Sequence, residues 1–85
     1  MNLLVGRVTH YFGHISVAVL ELTGELNTGD TVMILGRTTD LTQHVESMEI
    51  EHHKIQAAGP GMEVALQVPE PVRSGDKVYK VVVES

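Results

Sequence analysis

Asn27-Thr28-Gly29-Asp30-Thr31-Val32 and Arg73-Ser74-Gly75-Asp76-Lys77-Val78 are the stretches that decide the fold. Each places Gly-Asp-x-Val at the entrance to an apolar run. In such a corner the glycine takes the turn, the aspartate bonds a nearby backbone N–H, and the valine enters the core. Gly61-Met62-Glu63-Val64 is a weaker third copy, with methionine where the others have aspartate. Two clean copies fall short of a solenoid, which needs at least about three stacked units.

Outward from the corners the chain keeps the same character. Val, Ile and Thr make up 24 of the 85 residues, a β-branched bias that favours pleated strands. Eight glycines and three prolines punctuate them. The pattern predicts six strands, over residues 4–12, 15–22, 31–36, 41–52, 62–68 and 77–83. Short strands at this spacing read as a small sandwich or barrel. Gly13-His14 marks a tight turn between the first two strands. Both phases of 15–22 are apolar, so one face needs cover or a change of face. Val45 is out of phase with Met48 and Ile50, and a bulge near Glu46-Ser47 would bring all three inward. Ala57-Ala58-Gly59-Pro60-Gly61 terminates regular structure and leaves room for one helical turn before it. The expected core is Val8, Val17, Val19, Leu20, Leu26, Val32, Ile34, Met48, Ile50, Val64, Leu66, Val78 and Val81.

Length and composition bound the rest. Eighty-five residues, 42% apolar and 20% charged, make a single domain over residues 1–85. A fold of this size buries about 60–65% of its unfolded surface, which supports one modest core and no deep substrate cavity. With no cysteine there is no disulfide, thiolate zinc site or cysteine nucleophile, and the expected setting is the reducing cytoplasm. No apolar run approaches a membrane span of about 18 residues, and the first residues lack the basic start of a signal peptide. The net charge of −5 repels a polyanion at long range, so any RNA contact has to be local.

The search for chemistry returns little. The phosphate-cradling Gly-x-x-x-x-Gly-Lys-Ser/Thr loop and the Gly-x-Ser-x-Gly nucleophile elbow are both absent. Five histidines occur without the spacing that converges three or four ligands on a metal, and they read as surface residues. Glu49 and Glu51 read as the solvent side of a strand rather than a catalytic pair. Phe12 is assigned to the core, and Tyr11 is an aromatic that can stack on a base. The expectation is therefore no enzyme, no catalytic residue, no metal and no cofactor. Aromatic and basic side chains gather near two turns. Arg7, His10, Tyr11 and His14 form the first candidate partner-binding surface, and Arg73 with Lys77 the second. The plain alternative is that the basic residues are solvated surface charges.

Gly6-Arg7-Val8, the two Gly-Asp corners, Val45-Glu46-Ser47-Met48 and Ala57-Ala58-Gly59-Pro60-Gly61-Met62-Glu63-Val64-Ala65-Leu66 stand in a familiar order. It resembles the second domain of translational GTPases such as elongation factor Tu, over nearly the whole chain. The barrel that closes collagenase-like peptidases is at least as similar. The resemblance implies an all-β fold, a closed six-stranded antiparallel β-barrel of the translation-factor domain 2 type. It implies a non-catalytic binding module that docks on RNA, such as the aminoacyl end of tRNA, or on a protein partner. The alternative it leaves is an accessory domain or subunit completing a separately encoded peptidase-like enzyme. No nucleotide cofactor and no membrane are implied. Met62 departs from the family's usual aspartate, the 85 residues hold no nucleotide-binding domain, and the chain is acidic. The matched positions are turn and core residues, so they specify a barrel and not an activity.

Overall fold

The β-branched runs form strands, and no helix is present among residues 1–82, which the computed structural model describes. The strands are β1 (Asn2–Phe12), β2 (Val17–Leu22), β3 (Leu26–Asn27), β4 (Thr31–Leu35) and β5 (Asp40–His44). They continue with β6 (Met48–Ile50), β7 (His53–Ile55), β8 (Ala57–Ala58), β9 (Glu63–Gln67) and β10 (Lys77–Val81). Eight of them make one antiparallel sheet in the order β5-β4-β10-β1-β2-β9-β6-β7, and β3 pairs with β8 alone. The all-β expectation holds. In place of the expected six strands there are ten among the described residues, most of them shorter, and no ladder joins β5 to β7 to close the sheet. Residue 83, at the end of the sixth expected strand, lies outside the described residues.

The corner motif accounts for much of this geometry, and it occurs three times. At 27–30, 73–76 and 59–62 a four-residue turn has glycine third, with φ of 94° at Gly29, 95° at Gly75 and 85° at Gly61. Positive φ at the third position defines a type II turn and favours glycine there. In each, the fourth residue's N–H donates to the first residue's carbonyl: Asp30 to Asn27 at 3.1 Å, Asp76 to Arg73 at 3.0 Å, Met62 to Gly59 at 3.2 Å. Each turn also clasps one residue of a neighbouring segment by two backbone bonds. Gly29 N–H donates to Val45 O and Val45 N–H to Asp30 O, both at 2.8 Å. Gly75 does the same with Val8 O at 2.7 Å, and Val8 N–H with Asp76 O at 2.8 Å. Gly61 and Met62 hold Leu22 at 2.9 Å in both directions. The clasped residues Val45, Val8 and Leu22 are all buried in the core. Each corner thus fixes a core side chain and launches a strand: β4, β10 or β9.

The side chain at the fourth position completes the corner. Asp30 Oδ2 accepts the Asn27 N–H at 2.8 Å, and Asp76 Oδ2 accepts the Arg73 N–H at 2.9 Å. In the third copy Met62 Sδ takes that place, 3.2 Å from the Gly59 nitrogen. A thioether is a weak acceptor compared with a carboxylate. Met62→Asp is accordingly expected to stabilise the domain by about 1 kcal/mol. Urea unfolding at neutral pH reads this directly, and a destabilised variant would show that the third corner differs from the other two.

The clasp also explains where the strand expectations failed. Residues 41–52 do not form one bulged strand, because the corner at 27–30 holds Val45 out of the ladder. The chain then crosses to the far side of the sheet, where β6 pairs with β9 and β7. Val45 and Met48 are both fully buried, as expected, through a crossing instead of a bulge. The helical turn allowed for before Gly59 is absent, and β7 and β8 occupy the segment. Glu51 and His52 form the two-residue turn of the β6–β7 hairpin, with φ of 49° and 66°. That is the type I′ pattern, here without the usual Asn or Gly.

The core is the inward face of the sheet. Of the thirteen expected core residues, Val8, Leu20, Leu26, Val32, Ile34, Met48, Val64, Leu66 and Val78 are buried. Val17, Val19, Ile50 and Val81 are half-buried instead. In β2 the phase Ala18-Leu20-Leu22 turns inward, and Val17 and Val19 face out. Val5, Leu41, Ala58, Val68 and Val72 complete the core, from β1, β5, β8 and the segment between β9 and β10. The small β3–β8 sheet lies between the two ends of the large one. It is tied to the β5 side by the Gly29–Val45 bond and to the β7 side by Thr28 N–H donating to Gln56 O at 2.9 Å.

Candidate docking surface

The six candidate residues sit on or near β1, and two irregularities in that strand decide which way each points. The register shifts between Leu4 and Gly6 and again between Val8 and His10. At the second shift Thr9 is the extra residue, and its Oγ1 donates to Val19 O at 3.2 Å. Two shifts in eleven residues break the period-2 pattern of faces. His10 and Phe12 are therefore exposed, while Tyr11 packs against the core. This reverses the expectation for the aromatic pair. Phe12 is 49% exposed, and its ring stacks on His10 at a centroid distance of 6.1 Å.

Arg7 stands across the ladder from Lys77 on one side and Glu21 on the other. Glu63 follows Glu21 in the same row. Arg7 Nε and Nη2 both donate to Glu21 Oε1 at 3.3 Å. Both partners are solvent-exposed, so the pair contributes about 0–1 kcal/mol. The structure thus joins Arg7 and Lys77, which sequence separates by most of the chain. The row runs from cationic to anionic and is no basic patch. His14 is exposed in the turn after β1, and Arg73 is exposed at the first position of its corner. Leu3, Leu4, Phe12 and Ile15 are exposed along β1 and its turn.

Two clefts lie beyond this surface. The first, about 440 Å³, runs between Gln43, His44 and Glu46 on one wall and Leu66, Gln67 and Val68 on the other. Gln43 Nε2 donates across it to Gln67 O at 2.9 Å. Gln43 Oε1 is buried without a donor. The second, about 410 Å³, has Val19 and Ala65 on its floor and Glu49, Glu51 and Glu63 around it. Neither was identified as a site from the sequence. The one signal for the first is Gln43 itself, a polar residue in phase with Leu41 and Val45. Among the described residues no three His, Cys, Asp or Glu side chains come together to hold a metal ion. His44 is engaged with the Thr31 hydroxyl at 2.9 Å. No described helix is long and apolar enough to cross a membrane.

No family model matches the chain. It is 40% identical, over 76 residues and 88% of its length, to an uncharacterized protease of Methanocaldococcus jannaschii. It is 36% identical, over 81 residues and 93% of its length, to a collagenase of Porphyromonas gingivalis. The chain spans about a fifth of the length of these curated relatives, 19% of the first and 20% of the second. Among solved structures it is similar to the C-terminal domain of a Geobacillus thermoleovorans protein described as a U32 peptidase. The TM-score is 0.87 at 23% identity, covering 93% of this chain and 92% of that one. These relatives overturn the translation-factor reading. An RNA-docking module of the elongation factor type was inferred from turn and core residues that several barrels share, and the relatives found are protease and collagenase proteins. What the chain resembles is thus a one-fifth segment of such proteins, and its fold is that of a U32 peptidase C-terminal domain.

Proposed function

We propose that this chain is a non-catalytic accessory module that works beside the catalytic body of a peptidase-like protein. The observation that carries this reading is the extent of the match: 88% of this chain falls on 19% of the protease relative. The chemistry of a peptidase is then expected in the other four-fifths. The exposed Leu3, Leu4, Phe12 and Ile15 on β1 and its turn suit contact with such a body. The Arg7–Lys77 pair and the acidic end of the same row supply charges of both signs to orient it. In this reading the sheet is a barrel, with the β3–β8 strap standing in for a ladder between β5 and β7.

The non-catalytic part of the proposal has a simple check. The chain alone, incubated with collagen or a casein substrate, is expected to release no fragments above a buffer control. Hydrolysis that follows the chain through purification would overturn it.

A further inference from the structure

We infer that the free edge of β5, with the cleft beside it, takes up an extended peptide by strand addition. The inference rests on the accessory reading, since a module beside a peptidase-like body meets extended chains.

The argument begins with the ladder between β4 and β5. Gly36 N–H donates to Thr39 O at 2.9 Å, and Val45 N–H donates to Asp30 O at 2.8 Å. Hydrogen-bonded pairs alternate with unbonded ones along an antiparallel ladder. The bonded pairs are therefore Ile34 with Leu41 and Val32 with Gln43, between those two ends. The backbone groups of Asp40, Thr42 and His44 point the other way. β5 is the last strand of its sheet, and all three residues are exposed. Among the described residues these groups have no backbone partner. A bare edge of this kind is a template for another strand.

The cleft says what that strand carries. Its volume of about 440 Å³ lies within the usual range for ligand sites, roughly 300–1,000 Å³. Gln43 Oε1 is a buried acceptor without a donor, so turning this side chain toward a peptide N–H in the cleft would gain a bond it now lacks. Pro69, exposed at the cleft over the buried Leu66 and Val68, offers apolar contact to one side chain. Glu46 lines the mouth, and among the described residues it has no cation or hydrogen-bond partner. The chain's net charge is −5. Charge complementarity thus selects an extended segment with a lysine or arginine.

The test uses the 85-residue chain and the capped peptide acetyl-Thr-Val-Lys-Val-Thr-amide. Amide NMR shifts are expected at Thr42, His44, the Gln43 side-chain NH₂ and residues 66–68. Saturating peptide should slow hydrogen exchange of the Thr42 amide about tenfold or more. Backbone N-methylation of the peptide should weaken binding about tenfold, because it removes main-chain donors. Glu46→Gln should weaken it about threefold. Thr42→Pro should fold, since an edge N–H that faces solvent tolerates proline, and should lose the peptide. If that variant does not fold, exchange at Thr42 in the unaltered chain decides. Equal affinity for the N-methylated peptide, or no shifts at about 5 mM, would overturn the inference. So would protection of Thr42 in a dimer of the chain that forms without peptide. Peptide binding and collagen hydrolysis are read separately: failure to bind the peptide overturns this inference alone, and a chain that binds it yet hydrolyses collagen by itself overturns only the accessory reading.

Discussion

Gly6→Ala is expected to cost about 3 kcal/mol or more, which for a domain of this size lowers the melting temperature by roughly 15 °C. Gly6 pairs with Leu22 in the β1–β2 ladder, next to the first register shift of β1. A Cβ at this position would lie 2.5 Å from Glu21 O and 3.2 Å from Leu22 Cα. Both obstacles are backbone, and neither can rotate away. Relief requires the two strands to part at Leu22, which the third corner clasps from its other side. Gly59→Ala is the matched control. Nothing lies within 4 Å of a Cβ there and φ is not positive, so its effect should stay within about 0.5 kcal/mol. Thermal melts of the two variants side by side make the comparison, and equal melting temperatures would contradict the packing described for β1.

The second large effect is a coupling. Gly36 and Asp76 are far apart in sequence, yet a Cβ on Gly36 would collide with the Asp76 carboxylate. That carboxylate is 6% exposed and holds the Arg73 N–H of its own corner. Gly36→Ala should cost about 2–3 kcal/mol, because the carboxylate must leave this bond to make room. Asp76→Ala should cost about 1–2 kcal/mol, by leaving the part-buried Arg73 N–H without its acceptor. The double variant should cost less than the two added, by about 1 kcal/mol or more, because the collision disappears with the carboxylate. Denaturant unfolding of the four proteins gives the cycle, and strict additivity would show that the two sites do not touch.

The same residues show how much the sequence discloses. Gly-Asp-x-Val was legible because its cause is local: a glycine at positive φ and an aspartate bonding three residues back. Even the weak third copy proves a full corner, since its backbone bonds do not depend on the side chain at Met62. The Gly36–Asp76 contact has no sequence signal, because it depends on β4 and β10 pairing across more than forty residues. The division of residues 41–52 was hidden for a related reason. Apolar phase shows that Val45 and Met48 go inward but not that the strand ends before Val45 and a new one, on the other side of the sheet, begins at Met48.

Which candidate residues are exposed was legible in part. Arg7, His10 and His14 are exposed, and Arg7 meets Lys77 in register. Tyr11 and Phe12 exchanged roles because the extra residue at Thr9 reverses every face after it, and no composition signal marks that residue. The β5 edge was hidden altogether, since which strand ends a sheet is a property of topology. The elongation-factor resemblance misled on function because the matched residues are turn and core residues, and they carry no record of a binding partner.

The accessory role is tested most directly by a graft into the Porphyromonas gingivalis collagenase, to which this chain is 36% identical over 81 residues. Collagen hydrolysis is measured for the intact enzyme, for the enzyme without its matching segment, and for the enzyme with that segment replaced by this chain. The account predicts that the truncated enzyme loses most of its activity and that the graft restores a large part of it. A graft no more active than the truncated enzyme, with both folded by circular dichroism, would contradict it.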